Sequence, residues 1–222
     1  MKTKIYAHRG SSGKYPENTM LAFEKAIEEG AEGIEIDVHL SKDGEVVIIH
    51  DETLNKTTEG TGLVKEHTLA ELKKLRVPSL VELLELMKGT DLELNIEHKT
   101  YLINYPQIEE KVLAIVKEHG AGRKVVHSSF HLPTVLRVKK LDPAADIAWL
   151  LSKFPIPHPA DYIKTLGLEA LHMDKDAVLE RPEHFKGVYD KLRVWTVNND
   201  EEKKTLIGLG VAAIITDYPI GM

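Results

Sequence analysis

Short apolar, β-branched runs alternate along the chain with stretches whose apolar positions recur every three to four residues. The runs fall at 3–8 (TKIYAH), 32–38 (EGIEIDV), 92–97, 124–128, 146–151, 169–173, 192–197 and 212–216, which makes eight predicted strands. Helical spacing is predicted for 19–29, with Asn18 as N-cap and Gly30 as C-cap. A Ser79/Glu82 capping-box pattern opens another helix, SLVELLELMK. The segment 106–119 starts with Pro106 in its first turn and stops at Gly120. Further helices are predicted near 131–141, 159–167, 177–190 and 200–209. Strands alternating with helices imply a parallel sheet covered by helices. Eight such units predict closure into a TIM (β/α)8 barrel. An open doubly wound sheet is the alternative, since it needs no closure.

One segment breaks the alternation. Asp43-Gly44 between two apolar runs signals a hairpin, and residues 51–77 are mostly polar. The expectation is therefore a single domain over 1–222, with a small hairpin-and-loop insertion at about 41–77 after the second strand. If the hairpin closes as a two-residue loop, 42 faces 45 and His50 stands opposite Asp37. A four-residue loop shifts the pairing by two and leaves His50 nearby.

A length of 222 residues is near the lower end for such a barrel, yet enough for one sizeable core. Hydrophobic residues make up 42% and charged residues 29%, an ordinary globular balance. The absence of cysteine excludes a disulfide framework, a thiolate metal site and a cysteine nucleophile. The net charge of −6, with both signs mixed, argues against nucleic acid as a partner but leaves room for a small anionic substrate in a locally positive pocket. The first residues lack the apolar core of a signal peptide, and no apolar run approaches the ~18 residues of a membrane span. A cytoplasmic protein is the expectation. Oligomeric state stays open.

In a barrel enzyme the reactive side chains sit at the C-terminal ends of different strands. His8 and Arg9 end the first predicted strand, Glu35 and Asp37 lie late in the second, Glu97 and Lys99 end the third, and Trp195 lies near the end of the seventh. A period of two puts Glu35 and Asp37 on one face and turns Ile34 and Ile36 toward the helices. Glu97 and Lys99 continue the alternation of Asn95. Carboxylates aimed into a barrel are costly unless paired or metal-bound. Three oxygen donors with no thiolate favour one hard divalent cation, Mg2+ or Ca2+.

The strings AHRG at 7–10, PENT at 16–19, IEIDV at 34–38, SKDG at 41–44, HD at 50–51, TT at 57–58, NIEHK at 95–99, SSF at 128–130, WTVN at 195–198 and TDYP at 216–219 occur in the order typical of glycerophosphodiester phosphodiesterases. From residue 7 to 219 the chain resembles that family. The resemblance implies a TIM barrel that hydrolyses glycerophosphodiesters to sn-glycerol 3-phosphate and an alcohol with a bound divalent metal. It makes Glu35, Asp37 and Glu97 the metal ligands, His8 and His50 the general acid and base, and Arg9 and Lys99 phosphate contacts. It places an aromatic at Trp195, where it packs against substrate. Two positions depart from the pattern: Lys56 stands where the family has Arg, and Ala212-Ala213 where it has Asp-Gly. Neither carries a role in the chemistry.

The other histidines are read as bland: His39 as solvated near the hairpin tip, His127 and His172 as structural although near strand ends. Glu17 is placed to position His8. His50 is favoured for the leaving alcohol, while water and the glycerol 2-hydroxyl stay open as nucleophile. Lysophospholipase D-type activity is the alternative, with apolar Phe154, Pro155 and Ile156 able to meet an acyl chain. A non-catalytic ligand-binding barrel and an unrelated metal-dependent lyase rank lower.

Overall fold

The computed structural model describes residues 2–153 and 156–220. Its strands are β1 (Lys4–His8), β2 (Gly33–Leu40), β3 (Val46–Ile48), β4 (Glu93–His98), β5 (Val125–Ser129), β6 (Asp146–Leu151), β7 (Ala170–Asp174), β8 (Leu192–Trp195) and β9 (Ala213–Thr216). All but β3 run parallel, in the neighbour order β1, β9, β8, β7, β6, β5, β4, β2, and β2 pairs back onto β1. The sheet is thus a closed eight-stranded barrel, as the alternation of elements predicts.

Its helices are α1 (Met20–Glu28), α2 (Leu69–Lys74), α3 (Leu80–Leu86), α4 (Ile108–His119), α5 (Leu132–Leu141), α6 (Pro159–Leu166), α7 (Lys175–Glu180) and α8 (Asp200–Leu209). The outward strand residues Ile34, Ile36, Leu94 and Ile96 are fully buried beneath them, as are Ile147, Leu171, Val194 and Ile214 around the other half of the barrel. Each such side chain contributes roughly 1.5–3 kcal/mol. The inward face holds Tyr6, Val126, Ala148, Ala170, Ala213 and Ile215. Gly33 is required there, because a Cβ would come 2.6 Å from the Tyr6 ring.

Several local details differ from expectation. Thr19, not Asn18, caps α1, accepting from the Ala22 amide at 3.2 Å. Gln107 takes a left-handed φ of 63°, so Pro106 stays outside α4. The stretch 177–190 is broken at Pro182, which lacks an N–H to continue a helix. It forms α7 and then two 3-10 turns. The Ser79/Glu82 capping box is present.

The hairpin also differs. β2 and β3 pair as Val38↔Ile48, His39↔Val47 and Leu40↔Val46, and Ser41 N donates to Glu45 O, so three residues form the loop. Gly44 turns it with φ +81°. Ile49, not His50, therefore stands opposite Asp37, with its amide 3.1 Å from the Asp37 carbonyl. Residues 51–77 are less polar in effect than in composition: Leu54, Val64, Leu72 and Val77 join Val47 and Ile49 in a small core of their own. There, Thr68 and Glu71 cap α2 with a second capping box.

Candidate active site

β2 and β4 pair with Asp37 level with Glu97 and Glu35 level with Asn95, so all four side chains share the barrel's inner face. Glu35, Asp37 and Glu97 are each at most 7% exposed, and one carboxylate oxygen from each lies within 4.8 Å of the others. Crowding three carboxylates in a buried space forces their proton affinities apart. Burial, then the Asp37 and Glu97 charges, push Glu35 well above the usual carboxylate range. Burial and Asp37 likewise raise Glu97, against the pull of Lys99. Burial would raise Asp37 too, but Lys99, Arg9 and His50 outweigh it and hold that carboxyl ionised. Asp37 Oδ1 is buried with no hydrogen-bond partner. A hard divalent cation fits both the oxygen-only donors and the unpaired lone pairs.

The cations converge on the same spot. Lys99 Nζ lies 2.9 Å from Glu97 Oε1, 3.6 Å from Asp37 Oδ1 and 3.1 Å from His50 Nε2. Arg9 takes a left-handed φ of 54°, which brings its Nε to 3.3 Å from Asp37 Oδ2 and its amide to 3.2 Å from Glu35 Oε2. Glu17 holds the Arg9 guanidinium at 3.0 Å rather than positioning His8. Asn18, also left-handed, donates from Nδ2 to Asp37 Oδ2 at 2.9 Å.

Both imidazoles are anchored through Nδ1. His8 meets Asp217 Oδ1 at 2.6 Å, and Asp217 in turn accepts from Ser12 Oγ and Asn198 Nδ2. These donors, His8 first, overcome burial and bring the Asp217 carboxyl down to about 2. His50 meets Asp51 at 2.5 Å. Because an ammonium only donates, the Lys99 contact makes His50 Nε2 an acceptor, and the proton sits on Nδ1 toward Asp51. Burial, with Lys99 and Arg9, pushes the His50 imidazole down despite the nearby Asp37 charge.

His39 is fully buried rather than solvated. It meets the Tyr105 hydroxyl at 2.9 Å and the His50 carbonyl at 3.1 Å, which ties the His50 backbone to β2 and, through Tyr105, to the loop after β4. His127 faces the helices, 3.2 Å from His98, and His172 lies inside the barrel beside Arg193. Trp195 ends β8 at the mouth, edge-on to Phe130 at 5.7 Å, and Phe130 meets Tyr101 at 6.2 Å. Ile156 packs into the outer core, and Phe154 and Pro155 lie outside the described residues.

The structure thus brings together His8, Arg9, Glu35, Asp37, His50, Glu97 and Lys99. Sequence reasoning missed Asp217, Asp51 and His39 as their supports. For Asp217 a signal existed: Ala213, Ile215 and Asp217 carry the same inward alternation that marks Glu35 and Asp37.

Comparison with known proteins places the whole chain in one family. Residues 8–220 match the model of the glycerophosphoryl diester phosphodiesterase family. A glycerophosphodiester phosphodiesterase of Caldanaerobacter subterraneus subsp. tengcongensis is 41% identical, covering 99% of this chain and 96% of its own. One from Bacillus altitudinis is 39% identical, covering 98% and 95%. Among solved structures, an Oleispira antarctica phosphodiesterase in complex with the product sn-glycerol-3-phosphate superposes with a TM-score of 0.85 at 29% identity, covering 99% of this chain and 94% of that one. The Thermotoga maritima glycerophosphodiester phosphodiesterase gives 0.82 at 28%, covering 99% and 96%. With the barrel, the motif order and whole-length similarity in agreement, this chain belongs to the glycerophosphoryl diester phosphodiesterase family, a family of phosphoric diester hydrolases.

Proposed function

We propose that this enzyme hydrolyses glycerophosphodiesters to sn-glycerol 3-phosphate and an alcohol, using one divalent cation and two histidines. The observation that carries the reading is the buried trio Glu35, Asp37 and Glu97 with two imidazoles beside it, each tethered at Nδ1 by its own carboxylate. The trio would hold Mg2+ or Ca2+, and a bound cation supplies Lewis-acid polarisation of a phosphate oxygen.

The remaining work falls to the chain. Arg9 binds the phosphate through a planar fork and Lys99 as a point charge, both where negative charge accumulates. His8 and His50 divide two proton transfers. One imidazole takes the proton of the attacking hydroxyl as its oxygen bonds to phosphorus. The other gives a proton to the alkoxide as the bond from phosphorus to the departing oxygen breaks. If the attacking hydroxyl is the glycerol 2-hydroxyl, water then opens the cyclic phosphate with the two roles reversed. If it is water, the imidazoles exchange their protons with solvent. Either way one water is consumed and both imidazoles return to their starting charge. Trp195, with Phe130 edge-on, forms an apolar wall for the glycerol carbons.

Purified protein incubated with glycerophosphocholine and glycerophosphoethanolamine should release sn-glycerol 3-phosphate with Mg2+ or Ca2+ and not with EDTA. His8→Ala should lose roughly 10²–10⁴ of the rate. No release from either diester under any metal condition would overturn the reading. A second reading, lysophospholipase D-type activity, is favoured by Tyr101 (46% exposed) and Leu102 (67% exposed) in the loop after β4, since they offer apolar surface near the mouth. Release of choline from lysophosphatidylcholine tests it. Among the described residues no helix is long and apolar enough to cross a membrane.

A further inference from the structure

Beside the trio lies a groove of about 810 Å³, between residues 16–21, which lead into and begin α1, and the segments 56–59 and 73–78. Glu17, Asn18 and His50 line both this groove and the site, so the two are continuous, with His50 at their boundary. Its size is that of a small-molecule pocket and exceeds what a glycerol phosphate needs. The glycerol phosphate half of any diester substrate is constant and small. The alcohol half varies and needs this room.

The charge along the groove is uneven. Lys73 is paired with Glu82 at 3.1 Å, and Glu17 with Arg9 at 3.0 Å. That leaves Lys56, Lys74 and Arg76, which have no ion-pair partner among the described residues, against the single unpaired carboxylate Glu59. Lys56 lines the same groove as His50, and its charge adds to the His50 contacts that hold the Asp51 carboxyl, the anchor of His50, below the usual carboxylate range. Arg76 holds a left-handed φ of 64°, so the chain turns sharply where it presents this side chain.

We propose that this groove binds the leaving alcohol and, through Lys56, Lys74 and Arg76, selects alcohols that carry a negative charge of their own, such as a further phosphate. The inference rests on the phosphodiesterase reading above. A cationic choline head would meet unfavourable charge here. A phosphorylated glycerol would meet matching charge.

The test compares kcat/KM for sn-glycero-3-phosphocholine with that for sn-glycero-3-phosphoglycerol phosphate in the wild type and in the double variant K56S/R76N. Asn is chosen at 76 because it tolerates the left-handed backbone. The wild type should prefer the anionic diester by on the order of tenfold, as a few exposed charge contacts would give. The preference should shrink in high salt and fall toward unity in the double variant. Lys56→Glu alone, at an exposed position, should move the ratio toward the choline ester. A wild type that prefers the choline ester, or a ratio unchanged by salt and by both variants, would overturn the proposal while leaving the phosphodiesterase reading intact. Hydrolysis of neither diester would overturn both.

Discussion

The ammonium of Lys99 stands 3.1 Å from His50 Nε2 and 2.9 Å from Glu97 Oε1, so one buried cation touches both an imidazole and a member of the carboxylate trio. This contact is possible because Glu97 and Lys99 lie two apart on the inward face at the end of β4, while the hairpin after β2 delivers His50 from the other side. Replacing Lys99 with Met should lower kcat/KM by about 10²-fold, through the loss of a preorganised charge at the phosphate. It should also tighten divalent-cation binding, since a nearby positive charge is gone. Calorimetric titration with Mg2+ or Ca2+ checks the second effect. Weaker binding in the variant would argue that Lys99 supports the trio rather than competing with the cation.

Asp217 holds His8 across 209 residues of sequence. As a positioning residue it should affect turnover more than substrate affinity. Asp217→Asn should lower kcat by roughly 10²-fold with little change in KM. Adding His8→Ala in that background should cost far less than His8→Ala costs alone, because groups acting as a unit are not additive. Additive losses would separate the two residues.

Cation binding to the trio should stabilise the fold. At a hundredfold excess over Kd the gain is about 2.7 kcal/mol, which thermal melts with Mg2+, Ca2+ or EDTA would read. In Asp37→Asn the cation-dependent rise should disappear. A rise that persists in the variant would place the cation elsewhere.

His127 is 2% exposed, and burial pushes its imidazole down to about 4, against a lesser upward pull from Asp142. The ordinary value of ~6.5 applies in the unfolded chain, so between pH 6.5 and 4 the unfolded state binds a proton that the folded state refuses. Stability therefore falls as pH falls through this window, and this residue alone accounts for ~2 kcal/mol at pH 5. Urea denaturation of the wild type and of His127→Leu at pH 7 and pH 5 isolates the effect. The pH-dependent loss should shrink by that amount in the variant, whatever its absolute stability.

Gly33→Ala drives a methyl to 2.6 Å from the Tyr6 ring inside the barrel. The expected cost is about 1–3 kcal/mol, as for other overpacked cores. Denaturation midpoints would show it. A variant as stable as the wild type would mean that the Tyr6 ring can shift, despite its hydrogen bond to Glu93 and the Arg193 guanidinium above it.

Much of the fold and of the candidate site was legible along the chain because it depends on short-range stereochemistry. The period of two put Glu35 with Asp37 and Glu97 with Lys99 on common faces, and turned Ile34 and Ile36 outward to the helices. The Ser79/Glu82 spacing marked the start of α3. Even here one competing role prevailed: Asn18 suited a helix cap, yet its amide bonds Asp37 and Thr19 caps the helix.

Amino-acid order by itself determined the alternation of strand and helix, the inward faces and the presence of the reactive side chains at strand ends, since backbone geometry repeats every two or 3.6 residues whatever lies far away. Tertiary structure decided the rest. The loop took three residues, so Ile49 rather than His50 faces Asp37, and the imidazole reaches the trio from beyond the end of β3. Closure of β9 onto β1 set Asp217 against His8, and the loop carrying Tyr105 buried His39. Those neighbours are created by packing between distant segments, and no local period records which segments will meet.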